Sequence, residues 1–223
     1  SQASSAGRDE AKVRQELVET GDVDVMVAIR GNFFYTRTVP CELWFFDKAK
    51  AQAHRDHVLM LDARNVYRKV TRKIYDFSPE QLANLTSIVW LYRGQQCRFL
   101  ALVREHLQSS LQAALASRAP LREAHAALAA WANLLRSPLQ EGDALTAQVA
   151  LDEALAQFNL DVVAFSNQTN AATSGIPEGT DNNALHEAAA KLAPLADASR
   201  DLIKAVDHLY KLAGHAMDAC PVT

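Results

Sequence analysis

Clustered glycines are missing from this sequence of 223 residues. None of the eight glycines lies within three residues of another. There is therefore neither a GxG loop nor a P-loop, the glycine patterns that hold nucleotide-type cofactors or phosphates at the start of a helix. The seven prolines are likewise never adjacent, and patterns of the HExxH, GxSxG or EF-hand type are absent. The sequence thus contains no complete catalytic or cofactor-binding motif of these kinds.

Cysteines, long apolar runs and excess charge are also scarce. The cysteines, Cys41, Cys97 and Cys220, form no CxxC pair, which argues against a disulfide framework or a zinc site and favours a reducing cytoplasm. No apolar run approaches the ~20 residues of a membrane span. The net charge of −3 provides no overall field that attracts DNA or a membrane. His54 and His57 lie near two aspartates, but no third ligand has suitable spacing, so we interpret them as loop residues.

The composition divides the chain into two parts. Residues 1–77 mix β-branched and aromatic runs with turn residues, whereas residues 78–223 are rich in strong helix formers. We expect an α+β protein that is mostly helical, with a small partial α/β sheet followed by an all-α region. The boundary at Ser78 is a helix start, with serine as the N-cap and proline at the first helical position.

Apolar runs and turn residues predict the elements of the first part. A helix is expected first, followed by three buried strands. Asn65–Ile74 is short and basic, and we interpret it as a helix. The helix and the three strands are expected at Arg8–Thr20, Val23–Ile29, Cys41–Phe46 and Val58–Ala63.

The second part contains apolar stripes at helical spacing. After the helix that starts at Ser78, helices are expected over residues 95–118, from Pro120, over residues 143–170 and from Asp181. The last two flank a clear turn and have heptad stripes, which predicts a long antiparallel helical hairpin at about 143–219. Pro194 is expected to kink the final helix.

Four segments together resemble a known family. They are Gly21–Ile29, Asn32–Thr36, Val39–Lys48 and Val58–Arg64. Their order resembles the modification subunit of type I restriction–modification systems. In that family a strand is followed by an LFY-like segment, a threonine, an apolar strand ending in Phe-x-Lys, and an LFIDAR-like strand. The resemblance extends over about residues 8–95, and the later helices are similar in kind only.

The resemblance implies an adenine-N6 DNA methyltransferase that uses S-adenosylmethionine and flips its target base. Its partners would be a specificity subunit, a restriction subunit and double-stranded DNA. This chain would supply the closing strands of the sheet. The glycine-rich cofactor loop and an Asn-Pro-Pro-aromatic motif would lie upstream of Ser1. We therefore expect no catalytic, cofactor-binding or metal-binding residue here, no cofactor bound by this chain alone, and no activity of the chain in isolation.

One site element is implied by the resemblance. In adenine methyltransferases an aromatic residue between the two antiparallel strands stacks on the flipped adenine, and Phe34 falls at that place. Stacking on an aromatic face returns ~1–3 kcal/mol of the free energy lost when a base leaves the duplex. The alternative is that Phe33 or Phe34 only anchors the loop in the core, and one of the two is expected to do so.

Five arginines are candidates for contacts to DNA phosphates. Arg30 and Arg37 flank the aromatic loop, whereas Arg64, Arg68 and Arg72 are four apart and would share one face of a helix. A solvated basic face is the alternative.

Two further expectations follow from the patterns. The second strand is apolar at nearly every position, as is typical of a central strand. If no strand lies beside it, its exposed edge should pair with other segments. We therefore expect self-association, exchange of elements between copies, or cover of the edge by the chain's own helices. The alternative function is a helical assembly module without catalysis, since apolar helical stripes could also dock a partner subunit.

Overall fold

The computed structural model of this chain describes residues 8–34, 38–135 and 142–219. These residues confirm a mostly helical α+β protein. The chain forms two compact units, Ser1–Phe99 and Leu100–Thr223. In order, the elements are α1 (Arg8–Glu19), β1 (Val23–Ile29), β2 (Cys41–Phe46), a 3-10 helix (Gln52–His54), β3 (Leu59–Asp62), β4 (Arg68–Lys69), β5 (Tyr75–Asp76), α2 (Pro79–Tyr92), α3 (Gln96–Leu135), α4 (Asp143–Ala172) and α5 (Asn182–Asp218).

The N-terminal unit contains a mixed sheet of three strands in the order β2-β1-β3. β1 pairs antiparallel with β2 and parallel with β3. The three strands were all predicted from the sequence, and the family resemblance implied an antiparallel pair. Val23, Val25 and Ile29 are buried, which gives the sheet a core along β1. Gly21 adopts a φ of 75°, a left-handed conformation that glycine enters without steric cost, and it separates α1 from β1.

The helix predicted over Asn65–Ile74 is wrong. The segment instead contributes β4 and the turn of a two-stranded antiparallel hairpin, in which Arg68 pairs with Asp76 and Lys69 with Tyr75. β-branched and aromatic residues, which favour strands, occur throughout the segment at Val66, Tyr67, Val70, Thr71 and Ile74. The expected single basic helix face therefore does not exist.

Helix α2 begins as predicted and belongs to the N-terminal unit. Ser78 forms a reciprocal capping box with Gln81. At the other end, the Tyr92 hydroxyl donates to the His57 carbonyl at 3.1 Å, and the Arg93 guanidinium pairs with the buried Asp24 carboxylate. These links explain why the compact units divide after Phe99, whereas composition placed the boundary at residue 77.

Among its described residues, the C-terminal unit consists of helices and the turns between them. Its apolar core is built from α3, α4 and α5, and α4 and α5 pack against each other. The expected helix start at Pro120 is wrong, because α3 runs through it from Gln96 to Leu135. Apolar residues on both sides of Pro120 pack on one core, which outweighs the one helical hydrogen bond that proline removes. No described helix is long and apolar enough to cross a membrane.

Candidate functional site

The two ends of the loop between β1 and β2 lie close together at Gly31 and Thr38, and we call this close approach the neck. We call residues 30–38 the aromatic loop. A Cβ atom on Gly31 would lie far inside van der Waals contact with the Thr38 carbonyl oxygen, so only glycine fits where the two ends of the loop approach. Asn32 adopts a φ of 62°, the left-handed region that asparagine tolerates better than most residues. The chain therefore turns sharply before the aromatic residues.

The two described aromatic residues of the loop have different surroundings. The Phe33 ring lies 4.5 Å from the Phe77 ring, measured between centroids, and is partly buried. The Phe34 ring meets Phe33 edge-on at 6.4 Å and remains 43% exposed. Phe33 thus anchors the loop, as expected of one of the pair, and Phe34 presents a ring to solvent. The residues that follow, including the candidate Arg37, lie outside the described residues.

Arg30 starts the aromatic loop, and its side chain lies between the rings of Tyr67 and Tyr75, which we call the aromatic corner. Its guanidinium carbon is 3.9 Å from the centroid of the Tyr67 ring and 3.8 Å from that of Tyr75. The two rings are nearly perpendicular to each other, with centroids 5.2 Å apart. The Arg30 Nε is buried without a hydrogen-bond partner. The corner holds the cation by its attraction to the negative faces of both rings.

A basic hairpin adjoins the aromatic loop. We give this name to residues 68–76, which contain β4, β5 and their turn. The Tyr75 backbone N–H donates to the Asn32 carbonyl at 3.1 Å, so the hairpin is bonded directly to the aromatic loop. Arg68, Lys69, Arg72 and Lys73 are all exposed. Positive charge and an exposed aromatic ring therefore occur on neighbouring segments.

Two of the candidate arginines are paired with carboxylates. Arg68 makes two hydrogen bonds to Asp76, at 2.9 and 2.7 Å, and lowers the pKa of that carboxyl. Arg64 makes two hydrogen bonds to Asp62, at 2.8 and 2.7 Å. Hydrogen bonding from Arg64 lowers the pKa of Asp62 to about 2. Both pairs are exposed, so each arginine can exchange its carboxylate for another anion at little cost.

The aromatic corner was not predicted from the sequence. The tyrosines are eight positions apart and Arg30 is far from both along the chain, so only the pairing of β4 with β5 brings them together. The β-branched and aromatic residues around β4 and β5, such as Val66, Tyr67 and Val70, were the available signal for strands.

Lys50 is a second unpredicted feature. It is buried, and its Nζ donates to the carbonyl oxygens of Val23 at 2.6 Å and of His57 at 2.5 Å. These bonds join the start of β1 to the segment before β3. Lys50 therefore fixes the end of the sheet opposite the aromatic loop, and its role is structural.

The two histidines considered for metal binding have other surroundings. The His54 ring contacts the Tyr92 ring edge-on, with centroids 4.8 Å apart. Within the described ranges, no group of three or more His, Cys, Asp or Glu side chains could hold a metal ion.

The N-terminal half of the chain is similar to known proteins. Residues 2–109 match the family described as N-6 DNA Methylase. The methylase subunit of the type I restriction enzyme MjaIX, from Methanocaldococcus jannaschii, is 34% identical over 71 residues, which are 32% of this chain and 13% of that protein. The methylase subunit of the type I restriction enzyme HindI, from Haemophilus influenzae, is 28% identical over 82 residues, or 37% of this chain and 18% of that protein.

These matches confirm the resemblance found in the sequence. The chain spans less than a fifth of the length of either relative. No solved structure matches it significantly.

Proposed function

Residues 2–109 match the family described as N-6 DNA Methylase, and from that match we propose that this chain is part of the modification subunit of a type I restriction–modification enzyme. The whole subunit would methylate N6 of an adenine, with S-adenosylmethionine as the methyl donor. This chain would supply one wall of the pocket for the flipped base. The observation that carries the proposal is the exposed Phe34 ring, held on a closed-neck loop beside a basic hairpin.

Phe34 is proposed to stack on the flipped adenine. Its neighbour Phe33 is anchored against Phe77, so the loop does not need the Phe34 ring for its packing. A base that leaves the duplex loses a few kcal/mol of pairing and stacking. An aromatic face that receives it returns ~1–3 kcal/mol, and the half-exposed ring of Phe34 has such a face available.

The basic hairpin is proposed to contact phosphates near the flipped base. Arg68 and Arg72 would contribute from the hairpin, and Arg64 from the end of β3, with Arg37 as a further candidate on the aromatic loop. Contacts of this kind position the duplex without reading its sequence. Arg30 has a different environment, because its guanidinium lies between the rings of Tyr67 and Tyr75.

We propose that S-adenosylmethionine binds outside the turns that follow β1 and β3. In the turn after β1, Gly31 and Thr38 lie close together, and the left-handed residue is Asn32 rather than a glycine. The residue after β3 is the buried Ala63, followed by the paired Arg64. Cofactor binding and methyl transfer are therefore assigned to other residues of the whole subunit, and no catalytic residue is proposed in this chain.

Methylation by the full-length subunit with its specificity subunit tests the assignment. Phe34→Leu keeps an apolar side chain but removes the aromatic face, whereas Phe34→Trp keeps a face. We expect Phe34→Leu to slow single-turnover methylation roughly 5- to 150-fold, which corresponds to ~1–3 kcal/mol of lost stacking. Phe34→Trp should remain within a few-fold of the parent. Equal rates for Phe34→Leu and the parent enzyme would remove Phe34 from the site.

The C-terminal unit is proposed to dock the specificity subunit, in a complex that also contains the restriction subunit. Helix α5 buries one apolar stripe in the core of its own unit. A second stripe, of Ile203, Tyr210 and Met217, repeats every seven residues and is exposed, with Tyr210 at 78%. Apolar residues at heptad spacing are suited to a partner helix. This stripe also favours the second candidate function, a helical assembly module without catalysis.

Substitution of the exposed stripe of Ile203, Tyr210 and Met217 tests whether it binds the specificity subunit. Replacing all three apolar residues by serine should weaken binding of the specificity subunit at least tenfold, measured by calorimetry. Alanine at the exposed positions one residue further on, Lys204, Lys211 and Asp218, is the matched control and should leave binding unchanged. Equal losses in both triple variants would show that the stripe is not the docking surface.

Self-association through β2 remains a proposal. Within the described residues no strand pairs with the outer edge of β2, and Phe45 and Phe46 are each about half-exposed. Such an edge pairs readily with another chain. Light scattering on this chain at several concentrations should show species larger than a monomer, and Phe46→Lys should reduce them. A strictly monomeric parent chain would contradict the proposal.

A further inference from the structure

Arg30 is the first residue after β1 and connects the sheet to the aromatic loop. Ile29, immediately before it, is buried in the core of the sheet. The Arg30 guanidinium lies in the corner formed by Tyr67, which directly precedes β4, and Tyr75 of β5. One side chain is thus held between the start of the aromatic loop and both sides of the basic hairpin.

The other contacts of the loop converge on the same hairpin. Tyr75 uses its backbone N–H to bond Asn32, and Phe33 packs on Phe77, one residue after β5. The contact of Gly31 with Thr38 closes the neck but leaves the tilt of the loop relative to the sheet undetermined. The aromatic corner of Arg30 adds a side-chain contact from the first loop residue to the same hairpin.

We infer that Arg30 is a positioning residue, which sets the orientation of Phe34 by its packing in the corner of Tyr67 and Tyr75. This inference rests on the proposed function of Phe34. A displacement of about 1 Å at a reacting group can slow a reaction ~100-fold, so the corner can matter for methylation without contact to DNA. Arg30 is partly buried, and the rings of Tyr67 and Tyr75 cover its guanidinium. These surroundings favour a positioning role over a phosphate contact. Arg72 is exposed and therefore better suited to contact a phosphate.

The geometry of the corner also explains why arginine is required there. A planar guanidinium can stack flat on one ring while its edge meets the perpendicular second ring. A lysine ammonium keeps the charge but has no plane to stack. A methionine fills similar space and has neither property.

The test uses the full-length methylase subunit with its specificity subunit and two duplexes of the same sequence. One carries the natural target adenine and serves for methylation. The other carries 2-aminopurine in its place and serves only for base flipping, because 2-aminopurine has no N6 amino group to methylate. Arg30→Met and Arg30→Lys are compared with Arg72→Met, which removes a proposed phosphate contact outside the corner and should therefore lower the DNA affinity and the salt slope. Three quantities are measured: single-turnover methylation at saturating DNA, the fluorescence of the flipped base, and the salt dependence of DNA binding.

Arg30→Met is expected to slow methylation ~10- to 100-fold at saturating DNA and to change the 2-aminopurine fluorescence. Its DNA affinity should stay within about twofold of the parent, with the same salt slope, and Arg30→Lys should recover little of the rate. Tyr75→Leu should reproduce the defect, whereas Tyr75→Phe, which keeps the ring, should not.

Several outcomes would overturn the inference. If Arg30→Met weakens DNA binding and lowers the salt slope by about one, with methylation unchanged at saturating DNA, Arg30 is a phosphate contact. If it changes none of the three quantities, the corner has no role in methylation. Recovery of the parent rate by Arg30→Lys would show that charge alone suffices.

The failure of this inference can be distinguished from failure of the proposed function. Phe34→Leu, assayed in parallel, tests the stacking role directly. If Phe34→Leu is slow and Arg30→Met is normal, only the positioning role fails. If Phe34→Leu is normal, the proposed site itself fails, whatever Arg30→Met does.

Discussion

Replacement of Arg93 by methionine is expected to destabilise the N-terminal unit by about 2–3 kcal/mol. The substitution leaves the carboxylate of Asp24 without its cationic partner. The Asp24 side chain is only 4% exposed, whereas that of Arg93 is 44% exposed. Two guanidinium nitrogens reach the same carboxylate oxygen, with Nε at 3.1 Å.

The magnitude follows from the unequal burial of the two partners. Removing one member of a fully buried ion pair costs roughly 3–5 kcal/mol, because the remaining charge stays buried. Arg93 lies at the boundary with solvent, so water can enter beside the truncated side chain and hydrate part of the Asp24 carboxylate. We therefore expect a cost below that range or at its lower end. The double variant Asp24→Asn/Arg93→Met removes the charge together with its partner and should lose only about 1 kcal/mol, so the two changes should be strongly non-additive.

Urea unfolding followed by tryptophan fluorescence measures these differences. Trp44 and Trp90 belong to the N-terminal unit, and the variant Trp131→Phe removes the tryptophan of the C-terminal unit. In that background the signal reports the N-terminal unit alone. With a slope of about 1–2 kcal/mol per molar urea, Arg93→Met should lower the midpoint by roughly 1–3 M.

Two results would refute this reasoning. One is a midpoint for Arg93→Met within about 0.3 M of the parent, which would mean that the ion pair contributes nothing. The other is a double variant as unstable as Arg93→Met or more so, which would assign the loss to packing of the arginine stem rather than to an uncompensated buried charge.

The remaining predictions concern the loop neck, one exposed carboxylate and one buried lysine. Gly31→Ala should destabilise the N-terminal unit by about 1–3 kcal/mol in urea unfolding, because the added Cβ meets a backbone carbonyl across the neck. The control Gly179→Ala adds a Cβ that meets open space and should change the free energy of unfolding by less than about 0.5 kcal/mol. Similar losses in both variants would contradict the steric argument. Arg64→Gln should raise the pKa of Asp62 from about 2 towards 3.8, measured by carboxyl carbon NMR titration. The pair stabilises the fold above pH 3.8 and this contribution is lost as the pH falls through about 2, so an unchanged titration would exclude Arg64 as the cause. Lys50→Met should lower the free energy of unfolding by about 2 kcal/mol in thermal or urea unfolding, because two carbonyl oxygens lose a charged hydrogen-bond donor. A variant as stable as the parent would mean that water replaces the lysine.

The strands of the N-terminal unit could be predicted because each is a continuous apolar run between turn residues. β1 and β2 have the bounds expected from the sequence, and the capping box at Ser78 begins α2 as expected. These are local signals, since strand and helix starts depend on residues a few positions apart. The family resemblance likewise depended on short segments in a particular order.

Local signals failed where the conformation depends on a distant partner. The segment around Arg68 has helical spacing of basic residues, yet it pairs as a strand with the segment at Asp76 and joins the aromatic loop through Tyr75. Pro120 is a strong signal for a helix start, but the apolar core on both sides keeps α3 continuous.

The order of apolar runs, turn residues and helix caps along this sequence determined most of its element types, its two-part composition and the family that its first half resembles. Only the tertiary structure decided that Arg93 reaches Asp24, 69 positions away, and that Arg30 lies between two tyrosine rings. The physical reason is that an element forms from its own neighbours along the chain, whereas a contact between side chains requires the sheet register and the helix position to exist first. The orientation of Phe34, on which the proposed site depends, belongs to the second kind.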